Sequence, residues 1–211
     1  MATPQRPGAA RWVPETADLG ALREAAAGCR GCELWQEATQ TVFGDGAPRA
    51  RVMLVGEQPG DREDLAGEPF VGPAGRILAE ALEAAGLAQD AVYVTNAVKH
   101  FRFERRGKRR IHEKPGVAHI EACRPWLEAE LRTVDPVVVV CLGATAARAV
   151  LGRPVRIGAE RGTVIEVGGR RVVVTAHPAA VVRMRDAAAR RAALDALSAD
   201  LKAAAAAAGR G

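Results

Sequence analysis

Three short apolar runs constrain the fold of this chain more than any other feature. They are rich in valine and cover Val52–Val55, Val92–Val98 and Val137–Leu142. A strand that is apolar along its whole length is buried on both faces, which is typical of parallel sheets. Helical patterns separate the runs. The sequence therefore predicts a single α/β domain of three α/β/α layers, with a central, mainly parallel sheet.

The remaining patterns complete this domain. Two more strands are predicted at Thr163–Val167 and Val172–Thr175, on either side of a hairpin turn at Gly168-Gly169. Helices are predicted at Leu19–Ala27, Ala74–Ala85, Val117–Val134, Ala144–Leu151 and Asp186–Ala207. We expect a flexible tail over residues 1–14, the folded domain over 15–205 and a C-terminal tail over 206–211.

Charge and hydropathy bear on the partner and the compartment. The 211 residues carry a formal net charge of +5, which is compatible with a nucleic-acid partner. The first residues show no signal-peptide pattern, and no run approaches the roughly 20 apolar residues of a membrane span. We expect a soluble, cytoplasmic monomer that makes no membrane contact and is associated with the nucleoid when it acts.

Four cysteines have an arrangement that suits a metal site. Cys29 and Cys32 form a C-x-x-C pair after the first helix, Cys123 lies in a later helix, and Cys141 ends an apolar strand. Disulfides are rare in a reducing compartment, which leaves inert core thiols or metal ligands. Thiolates select zinc or an iron–sulfur cluster, and the spacing alone does not separate the two. Taken alone, Cys141 suits a small core residue better.

The segments that follow the strands are distinctive. Functional groups in such sheets gather beyond the carboxyl ends of the strands. The segments found there are GEQPGDRED, a long basic stretch, CLGAT and AHPAA. The first continues into a glycine-rich loop whose backbone amides can approach a ligand, but it lacks the spacing of dinucleotide and Walker sites. All four segments should converge on one cleft.

These motifs resemble a known family. GEQPGDREDLAGEPFVGPAG at residues 56–75 resembles the GE-x-PG…G-x-PFVG-x-AG motif of the iron–sulfur, family 4 branch of the uracil-DNA glycosylase superfamily. TNAVK at 95–99, the four cysteines and the HP dipeptide at 177–178 match in the same order, and the resemblance runs from about Leu19 to Leu201. It implies a structural [4Fe-4S] cluster on the four cysteines and excision of uracil from DNA.

Two features resemble a narrower group, the UdgX proteins. Gln58 stands where ordinary family 4 enzymes usually carry alanine, and the basic stretch ends in KRRIH at residues 108–112. The resemblance implies an irreversible bond from His112 to the deoxyribose C1′ after uracil leaves. Ala179 departs from the group, which usually has serine there, so a hydroxyl that could bind a DNA phosphate is missing.

The resemblance also implies how the cleft treats uracil. His177 is expected to donate a hydrogen bond to uracil O2, and Glu57 to stabilise the cationic sugar and orient the nucleophile. Phe70 is expected to stack on the base, and Asn96 to pair with its N3–H and O4. On the residues alone, Phe70 also suits core packing, and Asn96 suits a strand end bonded to local backbone.

Other side chains near these motifs are assigned in the same way. The expected catalytic residues are Glu57, His112 and His177. Further contacts to uracil are expected from Gly56, Gln58 and Asp61. The neighbouring carboxylates that we expect to be solvated charges are Glu63 and Asp64.

The basic stretch Lys99–Lys114 is expected to bind DNA. It holds eight basic residues against two acidic ones, and Phe101 and Phe103 could anchor it. Basic side chains with interleaved aromatics suit single-stranded DNA, which is the expected preference. A solvated face and a localisation signal are the alternatives. The predicted DNA contacts are Lys108, Arg109, Arg110 and Arg183.

Three functions are therefore weighed. The leading hypothesis is a single-turnover protein that traps itself on uracil-containing DNA. The second is a multiple-turnover family 4 glycosylase, in which water rather than His112 takes C1′ and a free abasic site is released. The third is a non-catalytic iron–sulfur module that binds DNA and treats uracil and cytosine sites alike.

Overall fold

The computed structural model describes residues 6–209, and its centre is one six-stranded sheet. The sheet strands are β1 (Asp45–Gly46), β2 (Val52–Gly56), β3 (Val92–Asn96), β6 (Val138–Leu142), β7 (Val164–Val167) and β8 (Arg170–Thr175). They lie in the order β1-β3-β2-β6-β8-β7. The four inner strands are parallel, and β1 and β7 pair antiparallel at the edges. The predicted α/β class and mainly parallel sheet are confirmed.

Helices cover both faces of the sheet. They are α1 (Leu19–Ala27), α2 (Asp61–Ala66), α3 (Pro73–Ala84), α4 (Val117–Val134), α5 (Ala144–Leu151), α6 (Ile157–Glu160), α7 (Pro178–Val182) and α8 (Ala187–Gly209). The bounds of α1, α4 and α5 are those predicted from the sequence. Within residues 6–209, we find no helix with both the length and the apolar character needed to span a membrane.

Alternate residues of the central strands supply two separate cores. Met53 and Val55 of β2 pack on the side of α1, α4 and α5, where Trp126 is fully buried. Val52 and Leu54 point to the other side, against α3 and α8. Because both faces are covered, the strands are apolar along their whole length. This explains the near-continuous valine runs of the sequence.

The basic stretch is more ordered than a loop. Residues Phe103–Arg106 form β4 and residues Arg109–His112 form β5, which pair as an antiparallel hairpin. Gly107 has φ +61°, a left-handed conformation that favours glycine in a tight turn. The hairpin places His112 opposite Phe103 at its base. The sequence analysis did not predict these strands, because their charged residues conceal the pattern.

The chain ends differ from the expected tails. The backbone N–H of Ala9 donates to Ala122 O at 2.7 Å, and that of Gly8 donates to Gly31 O at 3.0 Å. This approach requires glycine at 31, because a Cβ there would lie 2.9 Å from the backbone of Ala9. At the other end α8 continues to Gly209, with residues 207 and 208 buried. The remainder of the two expected tails, 1–5 and 210–211, lies outside the described residues.

Candidate active site

A cavity of about 300 Å³ opens at the carboxyl edge of the sheet, where the segments after β2, β3 and β8 meet. We call it the site cavity. Its volume lies at the lower end of the range for small-molecule sites, which suits a ligand the size of a single base. Predicted site residues in its lining are Gln58, Asp61, Phe70, Asn96, His177 and Arg183.

Gly56 and Asn96 form the inner end of this cavity. They are the last residues of β2 and β3 and lie side by side in the parallel register. A Cβ at Gly56 would lie 2.7 Å from Phe70 Cζ and would also collide with Asn96 Oδ1. Within residues 6–209 we find no hydrogen bond to the side-chain amide of Asn96, although the residue is only 3% exposed. The amide is therefore available for a ligand.

Phe70 is held in an unusual backbone conformation. Its φ is +58°, a region that costs a non-glycine residue energy and is found most often at functional sites. The turn is closed by Gly75, where a Cβ would collide with the carbonyl oxygen of Phe70. The loop thereby turns the half-buried ring into the site cavity, where it can stack on a base.

His177 has a defined tautomer. The backbone N–H of Ala179 donates to its Nδ1 at 3.1 Å, so the neutral ring carries its proton on Nε2. Burial lowers the pKa of His177 to about 4, although Glu57 nearby acts in the opposite direction. The ring is thus a neutral hydrogen-bond donor near pH 7. Gly143 (φ +93°) allows the ring's approach, because a Cβ there would lie 3.1 Å from His177 Cβ.

Glu57 links the cavity to the hairpin. Its Oε1 lies 3.5 Å from Nε2 of His112, and its Oε2 accepts a hydrogen bond from the hydroxyl of Thr145. The side chain of His112 is 49% exposed, whereas that of Glu57 is 19% exposed. The two predicted catalytic residues are therefore neighbours, with one imidazole face open to a ligand. Thr145 was missed as an orienting residue, although the CLGAT segment pointed to this edge.

Gln58 does not present its side-chain amide to the cavity. Its Nε2 donates to the backbone oxygens of Arg102 and Glu113 at 3.1 Å each, and its Oε1 accepts from Arg102 N at 3.1 Å. These two backbone segments are the chain entering and leaving the β4–β5 hairpin. Gln58 therefore holds together the two chain segments at the base of the hairpin that carries His112. Local sequence did not indicate this contact.

Arg110 is engaged by carboxylates rather than free for phosphate. Its Nε donates to Asp61 at 2.6 Å, its Nη1 pairs with Asp64 at 2.5 Å, and its side chain is only 13% exposed. The guanidinium also covers the rings of Phe101 and Phe103, which are buried. The predicted anchoring by these two aromatics is confirmed. Arg110 attaches the hairpin to α2 through the same contacts.

Two of the acidic residues in α2 are buried, and the expectation that they are solvated charges is wrong. Asp64 is fully buried and accepts hydrogen bonds from Thr39 N as well as from Arg110. Glu63 is 8% exposed and accepts from the backbone N–H of Gly72 at 2.7 Å. Each carboxylate is thus paired with donors inside the fold, which the residue type alone could not reveal.

The other predicted DNA contacts are exposed. Lys108 and Arg109 lie at the turn of the hairpin, and Arg183 follows α7 at the rim of the site cavity. Among the residues described, we find no carboxylate paired with any of the three. The backbone N–H at Ala179 is bonded to His177, a contact that does not depend on the side chain at 179.

Three of the four cysteines lie close together. Cys29 Sγ accepts hydrogen bonds from Trp126 Nε1 at 3.2 Å and Gly31 N at 3.4 Å, and Cys123 Sγ accepts from Lys99 N at 3.3 Å. Burial raises the pKa of Cys32 to about 11 and that of Cys123 to about 12, and the neighbouring cysteines add to both shifts. Such N–H···S contacts also surround iron–sulfur thiolates.

Cys141 is buried apart from these three thiols. It lies in β6 between Val55 and Val174, and burial alone raises the pKa of its thiol. In the described part of the chain, no cluster of three His, Cys, Asp or Glu side chains could hold a single metal ion. All four cysteines are nonetheless buried, as a site closed to water would require.

His100 is a buried imidazole that the sequence analysis did not select. It is 5% exposed, and its Nε2 lies 2.9 Å from the hydroxyl of Thr41. That hydroxyl donates to Ala26 O, which also accepts from the backbone of Cys29. Since the hydroxyl proton is already used, Nε2 must be the donor, and the lone pair is on Nδ1. The residue directly follows Lys99, whose N–H contacts Cys123.

Lys99 is buried, although it belongs to the basic stretch. Its ammonium pairs with Glu130 and donates to Thr95 Oγ1 at 2.6 Å and to Asn96 O at 2.8 Å. Glu130 in turn accepts from the hydroxyl of Tyr93 at 3.0 Å. This ion pair supports the strand end that carries Asn96. A DNA-facing position for Lys99 is therefore wrong.

Comparisons with known proteins agree with this arrangement. A sequence profile of the Uracil DNA glycosylase superfamily matches residues 43–202. The chain is similar to the Type-4 uracil-DNA glycosylase of Archaeoglobus fulgidus, with 39% identity over 162 residues that cover 73% of this chain and 78% of the relative. It is also similar to the Type-4 uracil-DNA glycosylase of Thermotoga maritima, with 36% identity over 169 residues, 79% of this chain and 84% of the relative.

The chain belongs to the uracil DNA glycosylase superfamily. The superfamily match includes every segment of the site cavity and the whole hairpin, but it begins after Cys29 and Cys32. A third relative, the Type-4 uracil-DNA glycosylase of Sulfurisphaera tokodaii, is 33% identical over 176 residues, 78% of this chain and 76% of the relative. Membership in the uracil DNA glycosylase superfamily thus accounts for the sheet and for the four segments that meet at its carboxyl edge.

Proposed function

We propose that this chain excises uracil from DNA and then bonds His112 to the deoxyribose C1′. The observation that carries the proposal is the 3.5 Å contact between His112 Nε2 and Glu57 Oε1 beside the site cavity. The activity is that in the names of the Type-4 relatives, and the covalent step is the one implied by the resemblance of GEQPG and KRRIH to UdgX proteins.

Recognition of the base follows from the groups in the cavity. Asn96 offers an amide with a donor and an acceptor, which complement uracil O4 and N3–H. Phe70 offers a ring face for stacking, and Nε2–H of His177 is the donor for O2. The target nucleotide must leave its stack to enter, which is easiest in single-stranded DNA. Uracil-containing single-stranded DNA is therefore the proposed partner.

The reaction divides charge between base and sugar. Cleavage of the N-glycosidic bond sends its electron pair to uracil and leaves positive charge at C1′. His177 stabilises the charge that develops on O2, and the carboxylate of Glu57 stabilises the sugar cation. The lone pair of a His112 ring nitrogen then forms the bond to C1′. The alkylated ring releases its N–H proton to solvent through Glu57, and the uracil anion takes a proton from water.

The test is a denaturing gel with a uracil-containing oligonucleotide. Wild-type protein should give a gel-stable adduct in one-to-one amount and release one uracil per chain. The variant His112→Ser should give no adduct, and because water can then reach C1′ beside Glu57, it should release uracil repeatedly. Arg109→Ala, an exposed neighbour on the same strand, is the matched control and should still trap DNA.

Three results would contradict the proposal. If His112→Ser still forms the adduct at the wild-type rate, another residue is the nucleophile. Repeated uracil release by the wild type with no adduct would identify the multiple-turnover glycosylase instead. Equal binding of uracil and cytosine oligonucleotides without release of any base would identify the non-catalytic module.

We further propose that a [4Fe-4S] cluster is bound beside α1 and α4. We propose Cys29, Cys32 and Cys123 as three of the thiolate ligands, since all three are buried in the core on the side of α1 and α4. Cys141 was the expected fourth; we propose His100 in its place, because its Nδ1 lone pair is unused while Nε2–H is held by Thr41, and because it follows Lys99, whose N–H contacts Cys123. A metal-bound histidine commonly donates its other ring N–H in this way. When bound, the cluster supplies cross-links between these segments.

Iron content distinguishes the two candidate ligands. Purified wild-type protein should be brown and contain about four iron and four sulfide per chain, as expected for this cluster type. His100→Ala should lose colour and iron, whereas Cys141→Ala should keep both, because its thiol is only a core side chain. Loss of iron in Cys141→Ala with retention in His100→Ala would restore the four-cysteine set. Colourless wild-type protein with stoichiometric zinc would contradict the cluster.

A further inference from the structure

A second cavity adjoins the site cavity on the side of α3 and α8. It measures about 430 Å³ and is lined by Pro73, Arg76, Ile77, Glu80, Val182 and Arg190. We call it the α3–α8 groove. Pro73 and Val182 line both cavities, so they form a thin shared wall between them. A chain that leaves the site cavity over this wall enters the groove directly.

The groove has the charge of a phosphate-binding surface. Arg76 and Arg190 are both exposed, and within residues 6–209 we find no carboxylate paired with either guanidinium. Glu80 is the acidic residue in the lining, and it too is exposed. Two unpaired cations against one carboxylate leave the groove positive, which favours a polyanion.

The positive charge continues across the shared wall. Arg62 and Arg183 stand exposed in the lining of the site cavity, on the other side of Pro73 and Val182. The acidic residues of that cavity are bonded within the fold, since Asp61 pairs with Arg110 and Glu63 accepts from a backbone N–H. The cations therefore follow a path from one cavity to the next.

The shared wall is apolar and open to a partner. Val182 is 38% exposed at the end of α7, and Pro73 is exposed at the start of α3. An exposed apolar surface between unpaired arginines suits a nucleotide, because its base can lie on the apolar surface while its phosphate meets the cations. A simple anion would gain nothing from contact with this apolar surface.

We propose that the α3–α8 groove is the subsite for the nucleotide next to the extruded uracil on the same strand. The proposal rests on the proposed function, since the uracil defines the neighbouring position. Arg76 and Arg190 bind phosphates of the flanking nucleotide, and Pro73 and Val182 contact its base. The hairpin turn, with Lys108 and Arg109, then serves a different part of the strand.

The experiment measures binding of a single-stranded oligonucleotide that contains 2′-fluoro-deoxyuridine, which resists glycosidic cleavage. Full-length protein and the variant Arg76→Ala/Arg190→Ala are titrated at several salt concentrations. Loss of two phosphate contacts should flatten the log–log salt slope by about 1.4 and weaken binding on the order of tenfold at 0.15 M salt.

The matched control removes the same charge elsewhere. Arg49 precedes β2 and Arg132 lies in the last turn of α4, so both are exposed at the opposite edge of the sheet. Arg49→Ala/Arg132→Ala should leave the salt slope unchanged. If both double variants change affinity and slope alike, only net charge matters and the groove is not a subsite.

The outcomes also separate this proposal from the proposed function. Wild-type protein that releases uracil, together with an unchanged slope in Arg76→Ala/Arg190→Ala, overturns the groove alone. Wild-type protein that releases no uracil overturns the proposed function and this subsite with it. Two further oligonucleotides are compared, one extended only on the 5′ side of the uracil and the other only on the 3′ side. The variant should weaken the binding of one of them only. An effect of the same size on both oligonucleotides overturns the subsite.

Discussion

His177 combines a half-buried position with a fixed proton. Its Nδ1 is occupied by a backbone N–H, so Nε2 is the donor that the ring can offer to a ligand. A donor of this kind acts on the negative charge that develops in the transition state, and loss of one commonly slows a reaction by roughly 100- to 1,000-fold. The low pKa of the ring, about 4, keeps the donor neutral over the working pH range.

The same pKa makes stability depend on pH. The folded ring titrates near pH 4, whereas an unfolded histidine titrates near 6.5. Between these values the unfolded chain binds a proton that the folded protein does not, so the free energy of unfolding falls as the pH falls from about 6.5 to 4. The slope from His177 is at most about 1.4 kcal/mol per pH unit.

Urea unfolding at pH 7.5 and pH 5 measures this dependence. The variant His177→Gln should lose less stability on acidification than the wild type, because glutamine does not titrate. Arg109→Gln, at an exposed residue on the hairpin, should follow the wild type. An identical loss in the wild type and in His177→Gln would show that His177 does not titrate with a lowered pKa.

The β4–β5 hairpin is the element that brings His112 to the cavity. Gln58 bonds the backbone at both ends of the hairpin, and Arg110 attaches it to Asp61 and Asp64. Covalent capture requires the imidazole to be held close to C1′, and misplacement by about 1 Å can cost 100-fold in rate. The residues that we propose to bind the base, Phe70, Asn96 and His177, belong to other elements and make none of these contacts.

Loosening the hairpin should therefore separate capture from excision. In Gln58→Ala or Arg110→Ala, adduct formation should slow on the order of 10- to 100-fold, while uracil release changes much less. The measurement is the ratio of gel-stable adduct to released uracil in a single turnover. Arg109→Ala is the control, since its side chain is exposed on the same strand. Unchanged ratios in both variants would mean that the contacts of Gln58 and Arg110 with the hairpin do not position His112.

At the scale of the whole molecule, one buried ion pair connects the end of β3 to α4. Lys99 and Glu130 are 1% and 0% exposed in their side chains, and Glu130 lies on α4 while its partners Tyr93 and Thr95 lie on β3. Breaking a buried pair leaves an uncompensated charge, which costs roughly 3–5 kcal/mol. The strand end with Asn96 and the segment with Cys123 both depend on this contact.

Glu130→Gln should therefore lower the free energy of unfolding by about 3–5 kcal/mol, measured by urea denaturation. The combined variant Lys99→Met/Glu130→Gln should recover part of the loss, since no charge is left buried. Asp195→Ala removes an exposed pair with Arg191 on α8 and should leave the midpoint nearly unchanged. If Glu130→Gln matches that control, the buried pair does not hold the layers together.

The regular elements were largely predictable because their signals are local. Strand and helix periodicity predicted β2, β6 and β8 and the bounds of α1, α4 and α5 within the α/β class. The hairpin was not predicted because its strands are short and mostly charged. They are held by contacts to the rest of the fold and not by an apolar face. The packing of residues 8–13 was not predicted either, because it depends on a contact that is distant in sequence, the close approach to Gly31, which has no Cβ.

The sequence by itself determined the layered fold and the four segments at the carboxyl edge, because periodicity and motif order are properties of the chain. Tertiary structure alone decided that Gln58 and Arg110 hold the hairpin, that Lys99 is buried with its N–H on Cys123, and that the buried His100 bonds Thr41. The reason is physical. The role of a polar side chain depends on the hydrogen-bond partner that folding brings within about 3 Å of it. That partner lies far away in the sequence.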